Sequence, residues 1–397
     1  MNALKSARLH IGIFGKTNAG KSSLLNRITN QEVSIVSDIA GTTTDIVEKS
    51  MELLPIGPVN FLDTAGINDT TALAAERIAK TMKILNRVDI AIVVCDYNGI
   101  DDYEKSLINN FKELNIPYIT VINKTDLHEI SDNKLQEIKN ICNEVLVTST
   151  INDENLVFRL KSMLVKLLPE DYVNSPKIVG DLIPEKSTVV LVTPIDKEAP
   201  KGRLILPQVQ TLRDLLDSHC MSLVVKETEL NEALKNLKTP PALVITDSQA
   251  FKQVDEIVHE NVALTSFSIL FARLKGDLQA FARGAKTIDT LEDGDKILIL
   301  ESCTHHAIDD DIGRVKIPNL LKKKTGKNLI IEHRAGHDFP DISGYKLIIH
   351  CGACMTNRRE VLSRILIANS KKIPISNYGI VISYCLGILP RAMKIFM

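Results

Sequence analysis

The stretch GKTNAGKS, Gly15 to Ser22, constrains this chain more than any other. It matches G-x-x-x-x-G-K-[ST] with an apolar run, RLHIGIF, directly before it and the helix-like SLLNRI directly after it. Such a loop turns successive backbone N–H groups and the positive end of a helix toward one point, which suits phosphate oxygens. The backbone of Gly15, Asn18, Ala19, Gly20 and Ser23 then belongs to the cradle. Lys21 neutralises the β/γ-phosphate charge and the Ser22 hydroxyl coordinates Mg2+. A strand that feeds a helix in this way returns to its sheet as a parallel neighbour, so the motif predicts an α/β domain with a mostly parallel sheet.

Two later segments complete a nucleotide site in the expected order. DTAG, Asp63 to Gly66, follows the short strand NFL; Asp63 can hold the magnesium shell and the Gly66 N–H can sense a γ-phosphate. NKTD, Asn123 to Asp126, follows the strand YITVI. There Asn123 and Lys124 frame the base, and the Asp126 carboxylate can accept both N–H bonds that guanine offers and adenine lacks. Together these motifs predict a guanine-nucleotide domain over residues 1–172, ending at the proline-punctuated LLPEDYVNSP.

At 397 residues the chain is too long for one ordinary core, so further domains must follow. Residues 177–265 read as a second, smaller α/β domain, with strands in TVVLVTPI, SLVVK and ALVITD and helices around VQTLRDLLDSH and ELNEALKNL. Residues 266–397 read as a third α/β domain. It opens on a helical FSILFARLKGDLQAFARGAKTI and continues through strands DKILILE, NLIIEH, YKLIIH and YGIVISY. The 48 basic and 49 acidic residues leave a net charge of −1, which gives no reason to expect nucleic acid or an anionic membrane as partner. No window approaches the roughly 20 apolar residues of a membrane helix, and the N-terminus lacks a signal-peptide core. These features predict a cytoplasmic protein, in which the seven cysteines are not expected to form disulfides and any grouped ones read as metal or redox chemistry.

Three of those cysteines are grouped. LESCTHHAID supplies Cys303, His305 and His306, and KLIIHCGACMTN supplies His350, Cys351 and Cys354, so that the pattern reads C-x-H-x44-H-C-x-x-C. Five of the nine histidines (His305, His306, His333, His337 and His350) lie in this region. Each half follows a predicted strand, at the carboxyl edge where open α/β sheets build their sites. A helix starting near Asn357 would aim its N-terminus at the thiols and favour thiolate. The donor set suits a tetrahedral zinc of Cys3His type, which the residues alone favour, and also an iron–sulfur cluster with three cysteines and a fourth, different ligand; spacing does not choose between them.

The nucleotide motifs resemble the TrmE-Era-type GTPases over about the first 170 residues. That resemblance makes GTTTD, Gly41 to Asp45, the first switch with Thr43 on magnesium, and TST at 148–150 a weak match to the last guanine motif. Asn18 resembles the asparagine with which this group holds K+ against the phosphates, a charge supplied elsewhere by an arginine finger. Ile67 stands where glutamine would orient water, which implies slow hydrolysis, and Glu76 is the carboxylate placed by analogy to orient water instead. Taken with C-x-H-x44-H-C-x-x-C, the whole chain resembles the maturation GTPase of FeFe-hydrogenase, the HydF family. The resemblance implies a scaffold or carrier holding a 4Fe-4S cluster on Cys303, Cys351 and Cys354, with His305, His350 or Glu301 as candidates for an exchangeable fourth site. It further implies a diiron precursor as cargo, two radical-SAM maturases and apo FeFe-hydrogenase as partners, and a homodimer formed through the middle domain. The alternative reading is a potassium-dependent GTPase with a structural Cys3His zinc module, acting in RNA or ribosome maturation.

Overall fold

In the computed structural model of the protein the described residues are 8–29, 47–63, 83–168, 177–195, 204–301, 311–336, 339–353 and 356–397. They fall into two compact units, Met1–Ser175 and Pro176–Met397.

The first unit is built on a six-stranded sheet. Its strands are β1 (Leu9–Phe14), β2 (Val47–Leu53), β3 (Gly57–Asp63), β4 (Ile90–Cys95), β5 (Tyr118–Ile122) and β6 (Val145–Val147), in the order β2-β3-β1-β4-β5-β6. Only the β2–β3 pair is antiparallel. Helices α1 (Lys21–Thr29), α2 (Asp102–Glu113), α3 (Asp132–Ile141) and α4 (Leu156–Lys166) lie between or after the strands. A parallel sheet covered by helices buries both faces, and its central strands become continuous apolar runs. All six residues of β4 are buried, and the pleat divides them between two cores. Ile90, Ile92 and Val94 join Leu24 of α1 and Leu160 of α4, whereas Ala91, Val93 and Cys95 join Leu107 and Phe111 of α2.

The second unit carries two four-stranded sheets, both wholly parallel. One consists of β7 (Thr188–Val192), β8 (Met221–Val225), β9 (Leu243–Thr246) and β10 (Ala263–Ser266), in the order β10-β9-β7-β8. Its helices are α5 (Leu206–Asp217), α6 (Leu230–Asn236) and α7 (Phe251–Ile257). After α8 (Phe267–Lys275) and α9 (Leu278–Lys286) comes the other sheet, of β11 (Lys296–Glu301), β12 (Ile330–Ala335), β13 (Leu347–His350) and β14 (Ile375–Asn377), in the order β12-β11-β13-β14. Helices α10 (Ile317–Thr325), α11 (Arg358–Ser370), α12 (Tyr378–Cys385) and α13 (Leu389–Met393) accompany it. The two sheets share one apolar cluster, in which Val190 and Val244 of the first and Leu298 and Ile348 of the second are fully buried. No helix among the described residues is long and apolar enough to cross a membrane.

The α/β fold with mostly parallel sheets is as the sequence predicts, with three local differences. The run from Phe267 to Ile288 contains two helices instead of one: α8 stops at Gly276, and the Asp277 side chain accepts from the Ala280 N–H at 2.9 Å to cap α9. YGIVISY, predicted as a strand, is helix α12, capped by Asn377 through the Ile380 N–H at 2.9 Å. An apolar run buried on all sides has no periodicity to separate strand from helix, and the cap decides. Strand β10, ALTS, is too short and too polar to have been marked.

Helix α9 packs on β14 at backbone contact distance. A Cβ at Gly284 would lie 2.0 Å from the Ile375 carbonyl oxygen, and Ser376 donates its hydroxyl to the Phe281 carbonyl at 2.9 Å. Gly284→Ala is therefore expected to destabilise the second unit by about 3 kcal/mol, because the helix must lift from the strand. Urea denaturation checks this; an unchanged midpoint would show that β14 can retreat freely.

Candidate nucleotide and metal sites

The phosphate loop runs from β1 into α1 and is crowded into place. Gly15 has φ +138° and a Cβ there would meet the Val94 carbonyl oxygen at 2.1 Å; Gly20 has φ +100° and a Cβ would meet the Asn123 amide nitrogen at 2.1 Å. Only glycine fits either position. Asn18 also has positive φ, and its side chain is exposed with those of Ser22 and Ser23. Lys21 is buried, and its ammonium donates to the Gly15 and Lys16 carbonyls, each at 2.7 Å. Burial lowers its pKa, with Asp63 and Glu104 pulling the other way. Asp63 ends β3 beside β1, its Cα paired with that of Ile13.

The base-side motif lies at the ends of β5 and β6. Buried Asn123 joins two loops: its Nδ2 donates to the Ala19 carbonyl at 3.1 Å, and its Oδ1 accepts from the Thr150 N–H at 3.0 Å. The Ser149 hydroxyl donates to Asp126 Oδ1 at 2.5 Å, leaving an exposed carboxylate held in one orientation, with Lys124 at positive φ just before it. The sequence reading missed a carboxylate pair beneath the phosphate loop. Asp101 caps α2 and pairs with Lys16, and Glu104 accepts from the Asp101 N–H at 3.2 Å. Glu104 is buried, which raises its pKa. The D-x-x-E capping box was readable in the sequence, but its position against the loop was not. Thr43, Gly66 and Glu76 lie outside the described residues.

In the second unit β11 and β13 are adjacent and parallel, with Leu300 opposite His350 and the Cys351 N–H donating to the Leu300 carbonyl at 2.8 Å. Glu301 and Cys351 therefore leave the sheet side by side at its carboxyl edge. Cys351 is half-buried and in no disulfide, and a Cβ added at the neighbouring Gly352 would meet none of the described atoms within 4 Å. A soft sulfur donor with a carboxylate beside it on the same edge fits a bound metal group. Cys303, His305 and Cys354 lie outside the described residues, as do His306 and His337. Among the described residues no three His, Cys, Asp or Glu side chains come together as a metal-binding group.

His350 points inward. Only 1% exposed, it has Nδ1 2.8 Å from the Cys351 carbonyl, while Nε2 lies 2.7 Å from the Arg364 guanidinium. An arginine can only donate, so Nε2 accepts and Nδ1 carries the proton. Burial, then the neighbouring Arg364 charge, lowers the pKa to about 4, so the ring is neutral. Arg364 is itself buried and also donates to Glu360 at 2.6 Å. Glu301 has the Tyr378 hydroxyl 3.5 Å from Oε1 and the Arg314 guanidinium 3.8 Å from Oε2. His333 Nε2 contacts the Gly313 carbonyl at 3.1 Å. Asn357 caps α11 through the Glu360 N–H at 3.1 Å, so the helix begins where the sequence places it. Arg364 and Tyr378 carry no local sequence signal, since their partners are distant in the chain.

Comparison with known proteins follows the same division. Residues 178–276 match the hydrogen maturase F dimerization domain and residues 279–395 match the hydrogen maturase F tetramerization domain. The chain belongs to the hydrogen maturase F family. The two family models meet at the break between α8 and α9. Residues 10–124 match a third model, described as 50S ribosome-binding GTPase. Among curated relatives, tRNA modification GTPase MnmE of Mesoplasma florum is 37% identical over 181 residues, 45% of this chain and 37% of the relative. The MnmE of Prochlorococcus marinus is 42% identical over 121 residues, 30% of this chain and 26% of the relative. The chain thus spans about a third of the length of the curated relatives it matches. Solved structures with some likeness include an Aquifex aeolicus Era variant (TM-score 0.33, 22% identity, 55% of this chain and 93% of that one) and the Thermotoga maritima FeoB G domain (TM-score 0.31, 22% identity, 41% and 99%).

The Asn123 amide is the link between the phosphate loop and the base-side loop of this hydrogen maturase F relative. Asn123→Ala is expected to accelerate amide exchange around Ala19 and Thr150 while leaving β1 and β4 protected, as read by hydrogen-exchange mass spectrometry. Unchanged protection at both loops would mean that the amide does not hold them together.

Proposed function

We propose that this chain is a guanine-nucleotide hydrolase joined to an iron–sulfur scaffold. In this reading it receives the diiron precursor of the hydrogenase active-site cluster from two radical-SAM maturases and delivers it to apo FeFe-hydrogenase. The observation that carries the reading is the register of β11 against β13: residues 50 apart in sequence leave neighbouring strand ends on one sheet edge, and in the sequence Cys303 follows two residues after Glu301 and Cys351 directly after His350. Cys303, Cys351 and Cys354 would hold a 4Fe-4S cluster, a group that supplies an anchored iron site and electron storage when bound. Both ring nitrogens of His350 are engaged, which favours Glu301 or His305 for the remaining position. The residues 177–265 domain supports a homodimer, since β8 is a sheet edge with Met221 and Val224 exposed along it.

At the other end of the chain GTP and Mg2+ would be held by the phosphate loop, Ser22, Asp63 and the Asn123–Asp126 motif, with K+ at Asn18. Thr43 and Gly66 would respond to the γ-phosphate, and Glu76 would orient water in place of the glutamine that Ile67 replaces. Two separately built sites in one chain suit a nucleotide that gates handover of the cargo instead of assembling the metal site.

Anaerobic reconstitution with iron and sulfide is expected to give a brown protein with about one 4Fe-4S cluster per chain, and Cys351→Ser to lose most of that iron. Colourless protein carrying stoichiometric zinc after the same treatment would sink the scaffold reading. Hydrolysis is expected to be slow, specific for GTP and faster in potassium than in sodium chloride, with Asp126→Asn shifting preference toward xanthosine triphosphate. Equal rates in the two salts would remove Asn18 from the mechanism, and unchanged base preference would remove Asp126 from recognition.

A further inference from the structure

A lysine far from the cysteine pattern is built into the turn that carries Cys351. Lys275 is the last residue of α8 and is only 5% exposed. Its ammonium donates to the Ala353 carbonyl at 2.7 Å and to the Thr356 carbonyl at 2.9 Å, 78 and 81 residues away in sequence. Lysine is among the residues least often fully buried, and such burial demands partners and a reason. The turn it holds is itself unusual. Ala353 has φ +54°, a left-handed conformation that disfavours any residue with a Cβ. Its carbonyl is further contacted by the Thr356 N–H and hydroxyl, each at 3.3 Å. A second cation ties the same two segments together, for Arg358, the first residue of α11, donates to the Leu274 carbonyl at 2.5 Å.

We infer that Lys275 is a positioning residue for the metal group, acting through the backbone of the Cys351 turn and through its own charge. This rests on the cluster reading given above. Mechanically, one ammonium pins the carbonyls of Ala353 and Thr356, which precede and follow Cys354 in the sequence, so the backbone at these two points is held before any metal arrives. Electrostatically, a buried positive charge stands close to a group whose thiolates and sulfides make it anionic, and more so when reduced. A fixed cation in a low-dielectric setting stabilises the reduced form and raises the reduction potential. The sequence offered no sign of this, because Lys275 follows an ordinary apolar helix and resembles a basic residue in a last turn.

Three variants of the full-length chain separate the two effects. Lys275→Met removes both hydrogen bonds and charge, Lys275→Gln keeps amide donors without charge, and Lys275→Arg keeps charge and donors. After reconstitution, iron per chain, the rate of iron loss to a chelator and the reduction potential by EPR-monitored titration are measured beside the wild type, with circular dichroism as the folding control. Expected are a more negative potential in the Gln and Met variants, iron loss about tenfold to a hundredfold faster in Met, and recovery of both readouts in Arg. Should the Met variant fail to fold, the potential of the Gln variant decides. A Gln variant that is folded and loaded, with wild-type potential and wild-type rate of iron loss, overturns the inference alone. A wild-type chain that takes up no cluster overturns the cluster reading and this inference with it.

Discussion

Parallel pairing is the constraint on which the rest of this molecule depends. A parallel strand cannot be joined to its neighbour by a tight turn, so the chain must cross over through a helix and return. All carboxyl ends then point to one edge, and the loops that leave there can face one another however far apart they lie in sequence. In the first unit the arrangement collects Gly15, Asp63 and Asn123 at the ends of β1, β3 and β5. In the second it collects Glu301 and Cys351 at the ends of β11 and β13, joined by the Cys351 N–H to Leu300 carbonyl bond. One backbone rule thus builds an anion site at one end of the chain and a thiol site at the other.

Both edges are stiffened by a buried lysine bonded to main-chain carbonyls. Lys21 closes on Gly15 and Lys16, and Lys275 closes on Ala353 and Thr356. Each places a positive charge where the proposed ligand is anionic, and each adds a strong donor to two main-chain carbonyls of a tight loop. They differ in origin. Lys21 opens the helix that follows its own loop, so a short motif encodes it, whereas Lys275 comes from a helix in a different part of the chain. His350 shows the complementary use of burial: with Arg364 on one nitrogen and a carbonyl on the other, it is a neutral strut behind the Cys351 turn.

The strand-end loops of the first unit were legible because their backbone requirements are local. Glycine at positions 15 and 20, lysine at 21 and the Asn-Lys-Thr-Asp run each do their work within a few residues of a strand end, and strand β4 reveals itself as an unbroken apolar run. The strands DKILILE and YKLIIH were equally plain, and so was the start of α11 at Asn357. YGIVISY was misread because uniform burial erases the periodicity that separates strand from helix. The break at Gly276 was missed because a single glycine inside an apolar pattern reads as tolerated until the Asp277 cap is seen.

By itself the sequence determined which residue types stand at each end of the chain: a phosphate-loop motif with an Asn-Lys-Thr-Asp run after it, and cysteines grouped in the last part. Those properties follow from residue type and short spacing, which covalent geometry carries directly into space. Only the tertiary structure decided which strands are neighbours, that His350 turns inward onto Arg364, that Glu104 lies beneath the phosphate loop, and that Lys275 grips the Cys351 turn. Each of these joins groups distant in the chain, and such contacts are fixed by how helices pack over buried sheet faces, a property of the assembled core that no local stretch contains.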